Sequence, residues 1–242
     1  MRWTTYVALA LVVLLVGLAA LGFAAVRRSL PETSGTISVP GLEHDVQVLR
    51  DGAGVPQVYA DTTDDLFFAQ GFVQAQDRFY EMDVRRHITS GRLSEMFGDT
   101  TLDVDKVVRT MGWRRVAEQE LGDLSPQATG YLDAFSAGVN AYLHDHSPSE
   151  ISLEYTLLSV SGLDYRIEDW TPADSVAWLK AMAWDLRGNM QDEIDRSMAA
   201  PHVSRAMVEE LFSEEPDELP ESPLPLPPEL PLLPVEVRLS VR

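Results

Sequence analysis

The chain has 242 residues, of which 45% are hydrophobic and 24% charged, enough for a substantial buried core in one large or two small domains. Its formal charge is −19, which repels phosphates and excludes nucleic acid as a partner. It contains no cysteine, so disulfides, thiolate catalysis and cysteine-ligated zinc are excluded as well.

Residues 3–26 are an almost unbroken apolar run, long enough at ~1.5 Å per residue to cross a hydrocarbon core of ~30 Å. The run exceeds the usual apolar region of a signal peptide and leads straight into Arg27 and Arg28. Residues 1–28 are therefore expected to be a transmembrane anchor or signal segment, an uncleaved anchor being favoured. Residues 36–39, 46–50 and 55–60 have the β-branched content and glycine punctuation of short strands, with Asp51, Gly52 and Gly54 turning the last two into a hairpin. Thr62 starts a helix, with Asp65 three residues on as a weak capping box. Along it Phe68, Phe72, Ala75, Phe79 and Met82 recur at helical spacing as a buried stripe.

Gly91 and Gly98 are placed to end or bend that helix. Ser125 before Pro126 opens a second one, with Tyr131, Phe135, Val139 and Tyr142 as its buried stripe. Thr171, Pro172 and Asp174 open a third through Trp178 and Met182, broken at Gly188 and Asn189, and shorter helices follow near residues 192–199 and 202–212. Eight of the fifteen prolines fall between Pro216 and Pro234, so residues 213–242 are expected to be a Pro-rich disordered tail that packs as neither helix nor sheet. A globular body over residues 29–212 is left between the two ends.

The first long helix carries far more charge than a solvent face requires: Asp77, Arg78, Glu81, Asp83, Arg85 and Arg86 crowd around its apolar stripe. Some of these must meet other protein, and a buried Arg or Asp requires a partner. The five histidines are scattered, with no defensible Ser-His-Asp order, and there is neither a Gly-rich phosphate loop nor a His-Glu-x-x-His zinc helix.

GVPQVYA at Gly54 to Ala60, AQGFVQAQDRFYEMDVRR and GRLSEMFGD after it, AGVNAYL at Ala137 to Leu143, DWTPADSVAWLKAMAW at Asp169 to Trp184 and DEID at Asp192 to Asp195 together resemble the α-chain region of the penicillin acylase family of N-terminal-nucleophile amidohydrolases. The resemblance runs from about residue 36 to about residue 212. It implies an α+β fold, mostly helical with an N-terminal β-hairpin, forming part of a four-layer αββα hydrolase and lacking the β chain. It also implies that the charges of the first long helix are scaffold, so that Arg78→Ala should harm folding more than substrate choice.

Members of this family hydrolyse N-acyl amides, such as β-lactam side chains or acyl homoserine lactones. The nucleophile is a serine at the start of a separate β chain, whose own α-amine is the base. The resemblance assigns no catalytic residue to this chain. It places Met182, Trp184 and Leu186 in the acyl-binding, substrate-contacting stretch, although the Arg-Phe pair of phenylacetyl-preferring members is absent. It makes Glu193 one ligand of a structural Ca²⁺ shared with the β chain, since a hard cation takes carboxylate oxygen. Expected partners are thus the β chain, an acyl-amide substrate and, through the N-terminal helix, a membrane, with the globular part outside the cytoplasm. A non-catalytic membrane-anchored remnant or a truncated inactive product are the competing expectations.

Overall fold

The computed structural model describes residues 2–163, 165–186, 188, 190–212 and 232–241. These divide into two units, residues 1–180 with 231–242 and residues 181–230. The first unit begins with helix α1 (Arg2–Arg28), whose residues from Trp3 onward are long and apolar enough by length and composition to cross a membrane. Strands β1 (Gly35–Val39), β2 (Val46–Asp51) and β3 (Pro56–Tyr59) follow.

Helix α2 (Thr63–Ser90) is the axis of this unit. Thr62 caps its start by accepting the Asp65 amide, and Gly91 ends it in the left-handed conformation at φ 63° that glycine adopts without strain. The five residues of its stripe, Phe68, Phe72, Ala75, Phe79 and Met82, are all buried. The Asp65 side chain reaches past the cap to accept the amides of Glu43 at 2.8 Å and His44 at 3.2 Å, tying the β1–β2 connection to the start of the helix.

Short helices α3 (Ser94–Phe97), α4 (Leu102–Met111) and α5 (Trp113–Glu120) lead to α6 (Pro126–Asp145), capped by Ser125. Helices α2 and α6 cross at two glycines: a Cβ on Gly71 would lie 2.1 Å from the Phe135 carbonyl oxygen, and one on Gly138 would lie 1.9 Å from that of Phe68. Only hydrogen side chains permit backbone contact this close. Around the crossing, Phe72 meets Tyr142 edge to face with ring centroids 5.5 Å apart, the favoured geometry for an aromatic pair. Helices α7 (Pro148–Ile151) and α8 (Leu153–Val160) follow, and α9 (Pro172–Asp185) runs on into the second unit.

The sheet corrects the sequence reading of the C-terminal tail. Residues 232–241 are not a disordered extension: they form strand β4 (Leu232–Val241), and the sheet order is β1-β4-β2-β3. β4 runs parallel to β1 and antiparallel to β2, with Val237 opposite both Gly35 and Val48. The physical reason lies in the alternation of the tail's last segment. Val237 and Leu239 face the core while Glu236, Arg238 and Ser240 do not, which is the period of a strand with one buried face.

Pro234 has no amide hydrogen to give a ladder, yet β4 lies between two strands. It falls before the β1 pairing begins at Val237, and opposite the register shift in β2 between Leu49 and Asp51, where a ladder donor is not required. The density of proline conceals a strand that tolerates it locally. The rest of that expectation, residues 213–231, lies outside the described residues.

The second unit contains the end of α9, then α10 (Met190–Ala199) and α11 (Arg205–Leu211). Ser204 caps α11, Val208 is buried, and Arg196 of α10 donates to the Phe212 carbonyl at 2.9 Å.

Candidate functional site

The charges on α2 have specific partners. Asp77 receives two hydrogen bonds from the buried Arg50 of β2, at 2.8 and 2.9 Å, pinning helix to sheet. Asp83 is fully buried. One of its oxygens accepts Arg86 Nε at 2.7 Å, and the other accepts the hydroxyls of Tyr155 at 2.7 Å and Tyr165 at 2.6 Å. Burial by itself would raise the Asp83 carboxyl, but the His87 ring, the Arg86 guanidinium and the two hydroxyls hold it below the usual carboxylate range. The same burial and the adjacent carboxylate push both tyrosine hydroxyls far up, so they act as fixed donors.

Arg86 extends the network outward by donating to the carbonyls of Asp169 and Glu168, each at 2.9 Å. Asn140 of α6 clamps the neighbouring residue from both sides, donating to the Trp170 carbonyl at 2.9 Å and accepting the Trp170 amide at 2.7 Å. Asp174 then caps α9 by accepting the Thr171 amide and hydroxyl, each at 2.7 Å, and also binds Arg114. Residues 168–174 are thus held by α2, α6 and α5 at once, which sets the start of α9.

Arg92 continues the pattern with paired bonds to Glu95 and Glu168. Asp105 of α4 accepts the amides of Leu93 and Ser94 at 2.8 Å each, satisfying donors that the start of α3 would otherwise leave open. None of these groups is free to attack a substrate. Tyr155, Tyr165, Asn140 and Asp105 carry as much of this network as the α2 charges, and no periodic signal in the sequence marks them.

The depressed carboxyls make a test of acid behaviour. Burial would raise Asp65 and Asp105, but hydrogen bonds to each outweigh it and leave both, like Asp83, below the ordinary value. A carboxyl depressed in the folded state contributes stability that is fully present above its unfolded value near ~3.9 and is lost as pH falls through the folded value. Asp105→Asn is therefore expected to cost about 1–2 kcal/mol at neutral pH, with the deficit shrinking below pH ~4. Urea unfolding of both forms at pH 7 and pH 3 checks this, and equal deficits would contradict it.

Arg78 departs from the scaffold expectation. Its backbone, at φ −149° and ψ 26°, interrupts α2, and its side chain is 71% exposed, within 3.6 Å of Glu81. It lies between two grooves. One, of about 400 Å³, is bounded by Gln74, Arg85, Trp170 and Trp178 among others, with the Arg85 guanidinium 4.4 Å from the centre of the Trp178 ring. The other, of about 540 Å³, is lined by Val58, Leu66, Phe67 and Val73.

The residues assigned to acyl and metal contacts lie in the second unit. Met182 and Leu186 are 38% and 73% exposed, and Trp184 is half-buried. Met182 and Trp184 are on the last turns of α9 and Leu186 is just past its end. Arg187 and Asn189 of the same stretch lie outside the described residues. Glu193, in the first turn of α10, is half exposed and pairs with Arg196 at 2.9 Å. Calcium takes six to eight oxygens, and among the described residues no three His, Cys, Asp or Glu side chains converge on one point.

The chain and its fold have counterparts among known proteins. The penicillin amidase family matches residues 45–222. Penicillin acylase 2 proenzyme of Pseudomonas sp. (strain SE83) is 35% identical over 182 residues, which is 75% of this chain and 22% of that protein. Acyl-homoserine lactone acylase QuiP of Pseudomonas aeruginosa is 34% identical over 190 residues, 78% of this chain and 22% of that one. In structure, a thermostable penicillin G acylase from Alcaligenes faecalis is similar, with a TM-score of 0.57 and 27% identity, over 77% of this chain and 100% of that chain.

The chain belongs to the penicillin amidase family of amidohydrolases, and its mostly helical fold with a small mixed sheet resembles that of penicillin G acylase. It spans about a fifth of the length of these curated relatives.

Proposed function

We propose that this chain is the acyl-binding part of an N-acyl amide hydrolase, acting with a second chain that supplies the serine nucleophile. The family match over residues 45–222 carries the reading, and the names of its relatives, a penicillin acylase and an acyl-homoserine lactone acylase, support this substrate class. The internal pairing of the α2 charges supports it. A chain that supplies the frame and the acyl contacts needs no nucleophile of its own, and the buried acids and guanidinium groups are committed to structure. Met182, Trp184 and Leu186 are the proposed acyl contacts, their apolar exposed surface being suited to cover by substrate or partner.

Glu193 would supply one carboxylate oxygen to a structural calcium ion, the second chain contributing most of the others, and Arg196 would have to release it. Helix α1 would anchor the assembly with the globular part outside the cytoplasm. Co-expression with the nucleophile-bearing chain of penicillin acylase 2 is expected to yield a complex in the membrane fraction that cleaves acyl homoserine lactones or β-lactam side chains. Calcium titration of that complex should show at least about tenfold weaker binding for Glu193→Ala. Absence of both a complex and turnover would overturn the reading in favour of a non-catalytic remnant, and unchanged calcium affinity would remove Glu193 from the metal.

A further inference from the structure

We infer that the break in α2 at Arg78 is a binding site for an amphiphilic monocarboxylate, with its head on Arg78 and its apolar body in the adjoining groove. The groove of about 540 Å³ is in the range that holds a small organic ligand. Its apolar wall is Val58 from β3 with Leu66, Phe67 and Val73 from α2, and Phe67 is held by stacking on Tyr131 at 4.6 Å between centroids. The polar end is formed by Gln74, Asp77 and Arg78.

The charges at that end decide the sign of the ligand. Asp77 is neutralised by the two bonds from Arg50. Arg78 and Arg85 share the single carboxylate of Glu81, and Arg85 is the closer of the two. Arg78 is thus the guanidinium in excess at this end of the groove, on a protein whose formal charge is −19. A neutral apolar molecule would leave that charge unused, and an organic cation would oppose it. A planar carboxylate matches the guanidinium fork. The break in α2 falls at Arg78 itself, whose largely exposed side chain lines both this groove and its neighbour.

This site is built from residues of the first unit, whereas Met182, Trp184 and Leu186 belong to the second, and it does not depend on whether the chain takes part in amide hydrolysis. Octanoate is the probe, titrated calorimetrically into the full chain in lipid nanodiscs, with empty nanodiscs as the blank. Saturable one-site binding is expected. Arg78→Gln should weaken it about fivefold, as for an exposed ion pair, and Leu66→Asp, at the accessible rim, by about tenfold or more. Hexanoate should bind about tenfold more weakly than octanoate for the loss of two buried methylenes, and octanamide should bind as weakly to wild type as octanoate does to Arg78→Gln. Both substituted positions are exposed, and matching thermal melts would show that the variants fold. Non-saturable uptake, equal binding by octanamide, or affinity unchanged in both variants would overturn the assignment.

Discussion

Gly138→Ala is expected to prevent folding or to lower stability by roughly 4 kcal/mol or more, a loss reserved for a few mechanisms such as forced separation of a core. The added Cβ would stand 1.9 Å from the Phe68 carbonyl oxygen, and neither backbone can yield without parting α2 from α6. The damage would spread to Phe68, Phe72 and Val139, which are buried in the same core. Gly130→Ala supplies the control. It lies on the same helix, and a Cβ there would meet nothing within 4 Å, so helix propensity alone predicts a gain of up to ~1 kcal/mol. Thermal melting by circular dichroism separates the two, and a Gly138→Ala protein as stable as wild type would refute the close crossing.

Removal of the Asp83 side chain should be comparably severe. Asp83→Ala leaves the Arg86 guanidinium buried and strips the hydroxyls of Tyr155 and Tyr165 of their acceptor, and breaking such a buried pair costs about 3–5 kcal/mol. Tyr155→Phe removes one bond and leaves the charges matched, so about 1–2 kcal/mol is expected. The ordering, with Asp83→Ala well beyond Tyr155→Phe, is the measurable content, and denaturation midpoints of the two variants provide it. Equal losses would mean that the hydroxyls, and not the Arg86 pair, dominate the site.

Legibility in the sequence follows the strength of local signals. Helix α2 is readable because stripe, cap and terminal glycine agree with one another, and α6 and α9 because a Ser or Thr stands before proline at each start. Helices α4 and α5 are not legible in this way. On α4 the polarity runs largely against the usual pattern: Leu102, Val104 and Val107 are exposed while Asp105 is buried beside Val108, so most of its apolar letters do not mark the core side. Strand β4 is hidden by its company of prolines, since its partners are distant in sequence and no local window can contain them. The family resemblance identifies most α2 charges as structural, whereas Arg78 escapes it, because nothing in its neighbours announces a break without glycine or proline.

The position of β4 also bears on how the chain is made. β1 and β2 are not neighbours in the sheet; the strand between them is synthesised much later, as the Gln47–Glu236 pairing across a separation of 189 residues shows. At roughly 5–20 residues per second, translation leaves a gap of about 10–40 s during which both strands have an open edge. Helices α2 and α6 can meet within that interval, since every residue of their crossing has already been made. Nascent chains of this protein should therefore pass through a helical intermediate with unpaired strand edges, the state in which a chaperone or a neighbouring nascent chain would find it most adhesive.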